Sequence, residues 1–422
     1  MILFVLASSI VLASAWADEP ASPPAEPVPA DAGVPDAGID AAGPELPPLP
    51  PSSPGLMPLP ASNHESMSRN FAGSVQLDYL QLAHRTTDID KAFAGPTVEL
   101  SLKLAMDLGH HVTANVKVCY ACHGFEVGMA YFDARVADEL NVRIGRFTPS
   151  FGSFPLRHDP ANHSTSDKPL PYDMGRMVRF RDFNEGVLPA PYVDNGVEVN
   201  GTHSMGPVQI DYAVYAIAGP KGNATNFDFD FVQQRSGDSY YVDNNGQPTV
   251  GGRFAVTLDM PRRRTLTLGG STMAGHYDPA GNLGFLIVGG DATLALDRTF
   301  IRAEYLARWT QFSLGTTPDL TFKFGPGPDG DYSNYIFKDG FDLEAEHPFG
   351  RVTVIARLDG LRRRGNVLAA SALSADSTLL RATAGIAIKL VSALSLKTSI
   401  ERYFFNDFAD ELAFHVGVAG PF

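Results

Sequence analysis

The sequence predicts an all-β chain: a transmembrane antiparallel β-barrel of about 16 strands that follows a signal peptide and a disordered Pro-rich linker. Three observations carry that prediction. Period-two alternation recurs in about 16 segments of similar length, the connections between them alternate between short and long, and no apolar run beyond the first 17 residues approaches the roughly 20 that a membrane helix needs. Any membrane span must therefore be β.

The bulk numbers agree with such a fold. In 422 residues the charged fraction is 19%, the aromatic fraction 10% and glycine numbers 40, a mix that suits many strands joined by tight turns. A mean hydropathy of -0.06 resembles that of a soluble protein. It fits a barrel equally well, because strands that alternate apolar and polar residues average out.

Taken in order, residues 1–17 (MILFVLASSIVLASAWA) form an apolar run closing with Ala15 and Ala17, the small-residue pattern of a signal peptidase site, although no Lys or Arg precedes the run. Residues 18–69 are dominated by Pro, Ala, Gly and acids. They bury too little apolar surface to offset their ordering entropy, so a disordered periplasmic linker is expected there. Asp18, Glu19, Glu26, Asp31, Asp36, Asp40, Glu45 and Glu65 all fall in this stretch, and removing them from the formal net charge of -14 leaves about -6 on the rest. A nucleic-acid partner is not expected at that charge.

Residues 70–422 hold the barrel. The alternation is clearest at 97–107, where Val98, Leu100, Leu102, Leu104 and Met106 share one face and Glu99, Ser101, Lys103 and Asp107 the other. Strands of 9 to 11 residues, the length a tilted barrel strand requires, are expected to begin near Val75, Val98, Val112, Phe125, Leu140, Val193, Val208, Val250, Thr265, Gly284, Phe300, Ile336, Arg351, Leu379, Ala393 and Glu411. Short turns are expected at 107–110, 135–139, 203–206, 259–264, 297–298, 347–350 and 390–392, and long connections at 147–191, 219–249, 312–335 and 364–378. Phe414, Val416, Val418, Gly420 and Phe422 alternate to an aromatic end, and Tyr305, Trp309, Phe312, Tyr403, Phe404 and Phe405 are expected to supply interfacial girdles.

Two motifs carry chemistry. Residues 130–154, AYFDARVADELNVRIGRFTPSFGSF, resemble the phosphate-selective porin O and P family, in which a strand, a short turn and a G-[QR]-F-x-x-P-F-G-like block precede a long third loop. Here Gly145, Arg146, Phe147, Thr148, Pro149, Ser150, Phe151 and Gly152 form that block, with Ser150 standing between the Pro and the Phe. The resemblance implies a 16-stranded, homotrimeric outer-membrane porin of a Gram-negative bacterium, its third loop folded inward to narrow the pore and its outside in contact with lipid and lipopolysaccharide. Arg143, Arg146, Arg157, Lys168, Arg176, Arg179 and Arg181 fall in that region against Asp159, Asp167 and Asp173. A locally positive constriction of this kind would concentrate anions at the narrow point. A surface loop whose arginines pair with acids and lipopolysaccharide phosphates is the ordinary alternative. His158 and His163, as lone loop histidines, are expected to be solvated, and no metal site is expected.

The second motif is Cys119, Tyr120, Ala121, Cys122, His123 and Gly124, the C-x-x-C-H pattern of covalent haem c attachment, with His123 as axial ligand; His110, His111, Met106 and Met129 are the available second ligands. The flanking residues read as a hairpin, so haem c and a hairpin-tip disulfide both stand. Three functions follow: a passive diffusion channel for small solutes with an anion preference, a haem-bearing electron conduit, and a structural envelope anchor. No enzyme is expected, since no G-x-S-x-G elbow is present.

Overall fold

The computed structural model describes residues 69–83, 94–121, 124–173, 186–222, 228 and 243–422; the expected signal peptide and all but the last residue of the expected linker lie outside them. Among the described residues 16 strands close a barrel. They are β1 (Arg69–Leu82), β2 (Gly95–Asp107), β3 (Val112–Ala121), β4 (Gly124–Ala137), β5 (Leu140–Phe147), β6 (Asp194–Met205), β7 (Val208–Ile217) and β8 (Thr249–Met260). The second half comprises β9 (Arg264–His276), β10 (Gly284–Leu296), β11 (Thr299–Gln311), β12 (Tyr335–Phe349), β13 (Val352–Arg364), β14 (Asp376–Val391), β15 (Leu394–Phe405) and β16 (Glu411–Pro421). Each strand pairs antiparallel with its sequence neighbours, and β1 closes on β16 in the register Leu77↔Val418 and Tyr79↔Val416. No helix among the described residues is long and apolar enough to cross a membrane.

The expected strand starts fall within three residues of the observed ones, except that β1 begins at Arg69 rather than near Val75. That early stretch lacks the aliphatic alternation that marks the others. It is nonetheless paired, with Phe71 opposite Leu104 and Gly73 opposite Leu102. The expected strand length is also corrected, because observed strands run from 8 residues in β5 to 16 in β14. A uniform span is not needed where a wall rises past the apolar band to meet a loop packed inside it.

Alternation sorts the wall as anticipated. On β2 the apolar row holds an exposed Val98, whereas Ser101 is buried in the lumen and Lys103 reaches an acid there. The girdle expectation holds only in part: Tyr305, Trp309 and Phe404 are exposed, but Tyr403 and Phe312 are buried and Phe405 packs against the internal core. Adjacent strand residues point to opposite faces, so Tyr403 and Phe404 cannot both face lipid.

The apolar core lies inside the barrel. The described parts of the connection, 148–173 and 186–193, fold inward and bury Phe151, Phe154, Leu170, Tyr172, Val187 and Leu188 against wall residues such as Tyr215, Met273, Ile287, Leu306 and Leu361. Each phenylalanine so buried contributes roughly 1.5–3 kcal/mol. Gly152 permits the turn: its φ of 65° favours glycine, and a Cβ there would meet the Tyr172 hydroxyl and the Glu304 carboxylate.

Candidate functional site

The inward connection crosses the lumen on pairs that join loop to wall. Its first anchor is Glu198 on β6, which accepts from Ser150 N at 2.8 Å and Ser150 Oγ at 3.0 Å. Gly152 N then donates to Ser271 Oγ on β9 at 2.9 Å. Next, Glu304 on β11 accepts four hydrogen bonds, from Ser153 N, Ser153 Oγ, Phe154 N and the Tyr172 hydroxyl. Farther on, Asp159 takes ion pairs from Lys103 on β2 and Lys117 on β3. Lys397 on β15 donates to the carbonyls of Pro160 and Thr165, and Gln76 on β1 to that of Ser166.

The strongest anchor is Arg381 on β14, whose side chain is fully buried. It forks onto Asp359 of β13 at 3.0 and 2.5 Å, pairs with Asp167 of the loop at 2.6 Å and donates to the Lys168 carbonyl at 2.6 Å. Asp359 in turn accepts from Leu170 N at 2.8 Å. A planar five-donor guanidinium can hold a wall carboxylate and a loop backbone at once; an ammonium cannot.

The expected constriction residues are distributed unevenly over this frame. Arg143 on β5 pairs with Asp133 and Glu198, both at 3.1 Å, and lies 4.9 Å over the Tyr131 ring. Arg157 pairs with Glu344 of β12 at 3.0 Å. Arg146 is buried and donates to the Val127 carbonyl, and Lys168 donates to that of Ala190. Arg176, Arg179 and Arg181 lie outside the described residues. Arg157 of the loop is therefore matched by a wall acid and Asp159 and Asp167 by wall cations, a pattern that counting charges along the loop does not reveal. Glu304, Arg381, Asp359, Lys117 and Lys397 were not anticipated. Their sequence signal was a charge at lumen parity in an apolar strand, which says that a partner exists without saying which.

The two loop histidines are not solvated, contrary to expectation. His158 is 7% and His163 6% exposed. His158 lies 2.8 Å from Lys117 Nζ and 2.5 Å from the Pro155 carbonyl; His163 Nδ1 lies 2.8 Å from the Thr165 carbonyl. Burial, reinforced by Lys117, holds His158 down at about 3, and burial with Lys397 and Lys168 holds His163 well below the ordinary imidazole range.

Of the C-x-x-C-H motif, Cys122 and His123 lie outside the described residues. Cys119 is extended on β3, paired to Ser101 and Glu126, and lines a lumen pocket with Lys117, Glu126, His158, Asp159 and Lys168. His110 and His111 sit in the turn at the opposite end of β3, roughly 25 Å away at 3.3 Å per residue, and do not reach a group held at Cys119.

No protein-family model matches the chain, and no curated protein matches it. Among solved structures, an anion-selective porin from Comamonas acidovorans is similar at a TM-score of 0.52 and 13% identity, covering 84% of this chain and 100% of that one. Salmonella typhi OmpF, in a complex with daunomycin, is similar at a TM-score of 0.50 and 8% identity, covering 84% of this chain and 97% of that one. At such identities the likeness is one of fold: the chain has the closed antiparallel barrel that these porins share.

Proposed function

We propose that the chain is an outer-membrane diffusion channel for small solutes, with residues 148–173 as its constriction. The observation that carries this reading is the loop pinned across the lumen from β1 to β15, inside a wall whose outer face is apolar. An envelope anchor would not need a lumen lined with paired charges. Such a lining lets hydrated solutes pass while the loop limits their size.

An anion preference belongs to the same proposal. It is supported by Lys103, whose side chain is 45% exposed beside Asp159. Planar-bilayer recordings test both parts. Single-channel steps in purified protein support the channel, and their absence overturns it; an anion-shifted reversal potential in a KCl gradient should move toward zero in Lys103→Gln and Arg157→Gln, and an unchanged value would remove the preference. The homotrimer that the family resemblance implies is read by light scattering of the detergent-solubilised protein. A covalent haem stain dependent on Cys119 and Cys122 would replace the passive channel by an electron conduit.

A further inference from the structure

We propose that Asp167, Glu401 and His415 form a binding site for a first-row divalent cation of the zinc type, tying the constricting loop to the barrel wall. Asp167 comes from the loop, Glu401 from β15 and His415 from β16; each offers one ligand atom, and these atoms lie within 4.8 Å of one another. For tetrahedral coordination at about 2.0–2.1 Å the ligand atoms must stand about 3.4 Å apart. His415 Nε2 and Glu401 Oε2 are already at 3.7 Å. Completing the set, with water as a fourth ligand, requires Asp167 Oδ2 and Glu401 Oε2 to turn from Arg381 Nη1, which they meet at 2.6 and 3.3 Å.

Two further observations point to a ligand. His415 Nδ1 lies 3.0 Å from Asp78 Oδ2, which turns Nε2 toward the cluster; this is the carboxylate–imidazole pairing that orients metal-bound histidines. Nε2 is buried with no hydrogen-bond partner, and so is Glu401 Oε1, in residues 1% and 0% exposed. Leaving such groups unsatisfied is costly, and a cation would satisfy both.

The local charge count agrees. Asp78, Asp167, Asp359 and Glu401 face two guanidinia: Arg381, and Arg357 at 3.5 Å from Asp359 and 3.8 Å from Glu401. Lys397, bonded to Gln76 and two loop carbonyls, acts on Asp78 as a third cation. With His415 neutral, four acids against these three cations leave one net negative charge, which favours a cation there. A donor set of one imidazole and two carboxylates suits zinc, whereas calcium seeks six or more oxygens and magnesium keeps most of its water.

Zinc binding does not depend on the channel reading. The test uses untagged full-length protein with Cys119 and Cys122 changed to Ser, which removes thiol ligands, stripped with EDTA and titrated with Zn2+. One equivalent is expected to bind per chain. His415→Gln and Glu401→Gln should each weaken binding by more than the roughly 10- to 100-fold that Asp78→Asn, the loss of an outer partner, should cost. No binding by the thiol-free protein, or unchanged affinity in both ligand variants, overturns the site. Where either variant fails to fold, the zinc X-ray absorption spectrum of the thiol-free protein decides: one imidazole with carboxylate oxygens supports the site, and several imidazoles overturn it. A protein that binds zinc but passes no current would sink the channel and leave the site standing.

Discussion

At the residue scale, Glu304 and the two loop histidines hold the constriction by opposite means. Glu304→Ala removes the acceptor for Ser153 N, Phe154 N and the Tyr172 hydroxyl together. Each donor left buried and unpaired costs about 1–3 kcal/mol, so the variant should lose about 3 kcal/mol or more in urea unfolding and show noisier single-channel current. The histidines act through protonation. An unfolded imidazole takes a proton near 6.5, whereas His158 stays neutral to about 3 and His163 to well below the ordinary range. Their neutral burial therefore contributes fully above about pH 6.5, and stability falls by up to about 1.4 kcal/mol per pH unit for each as pH drops below it, for His158 until about 3. Around them stand Lys117, Lys168, Asp159, Lys397, Arg157 and Arg357. Unfolding at pH 7.5 and pH 5 should differ less in His158→Gln than in the parent; an equal difference would remove His158 from the acid response.

At the element scale, the loop is held by particular strands rather than by its own sequence. Arg381→Met should cost about 3–5 kcal/mol, since Asp359, Asp167 and Glu401 would each lose the same buried guanidinium. Arg381→Lys should recover only part of that, because an ammonium cannot fork onto Asp359 while serving the loop. Comparing the two in urea separates geometry from charge. The elements themselves were largely legible: alternation at 97–107 marked β2 and assigned its faces correctly, since short-range sterics and the pleat decide both. The partner of Lys103 was not, because Asp159 lies 56 residues away and reaches it only through a loop that folds inward.

At the scale of the whole molecule, Phe422 extends the pairing by which β1 closes on β16. Phe422 exchanges backbone hydrogen bonds with Gly73 at 2.8 and 3.0 Å, and its ring covers the place where a Gly73 side chain would be. Deleting Phe422 should lower the folded, heat-modifiable fraction in lipid vesicles and destabilise the barrel by about 1–3 kcal/mol, the cost of the exposed pair. A folded fraction equal to the parent's would show that β1 and β16 close without it.

What the sequence by itself determined was the wall: the strand number, the sequential antiparallel order, the alternation of short turns and long connections, and, at 97–107, which side chains face inward. These follow from a two-residue period and from the chain having no other way to satisfy its backbone in lipid. Only the tertiary structure decided what the lumen does with its charges. Arg143 and Arg157 read as a bare positive ring along the chain, yet each meets a wall carboxylate, Glu198 or Glu344. Arg381, Asp167, Glu401 and His415 converge from a loop and three strands. Closing the barrel brings distant residues within a few ångströms, and an ion pair depends on that distance rather than on separation along the chain.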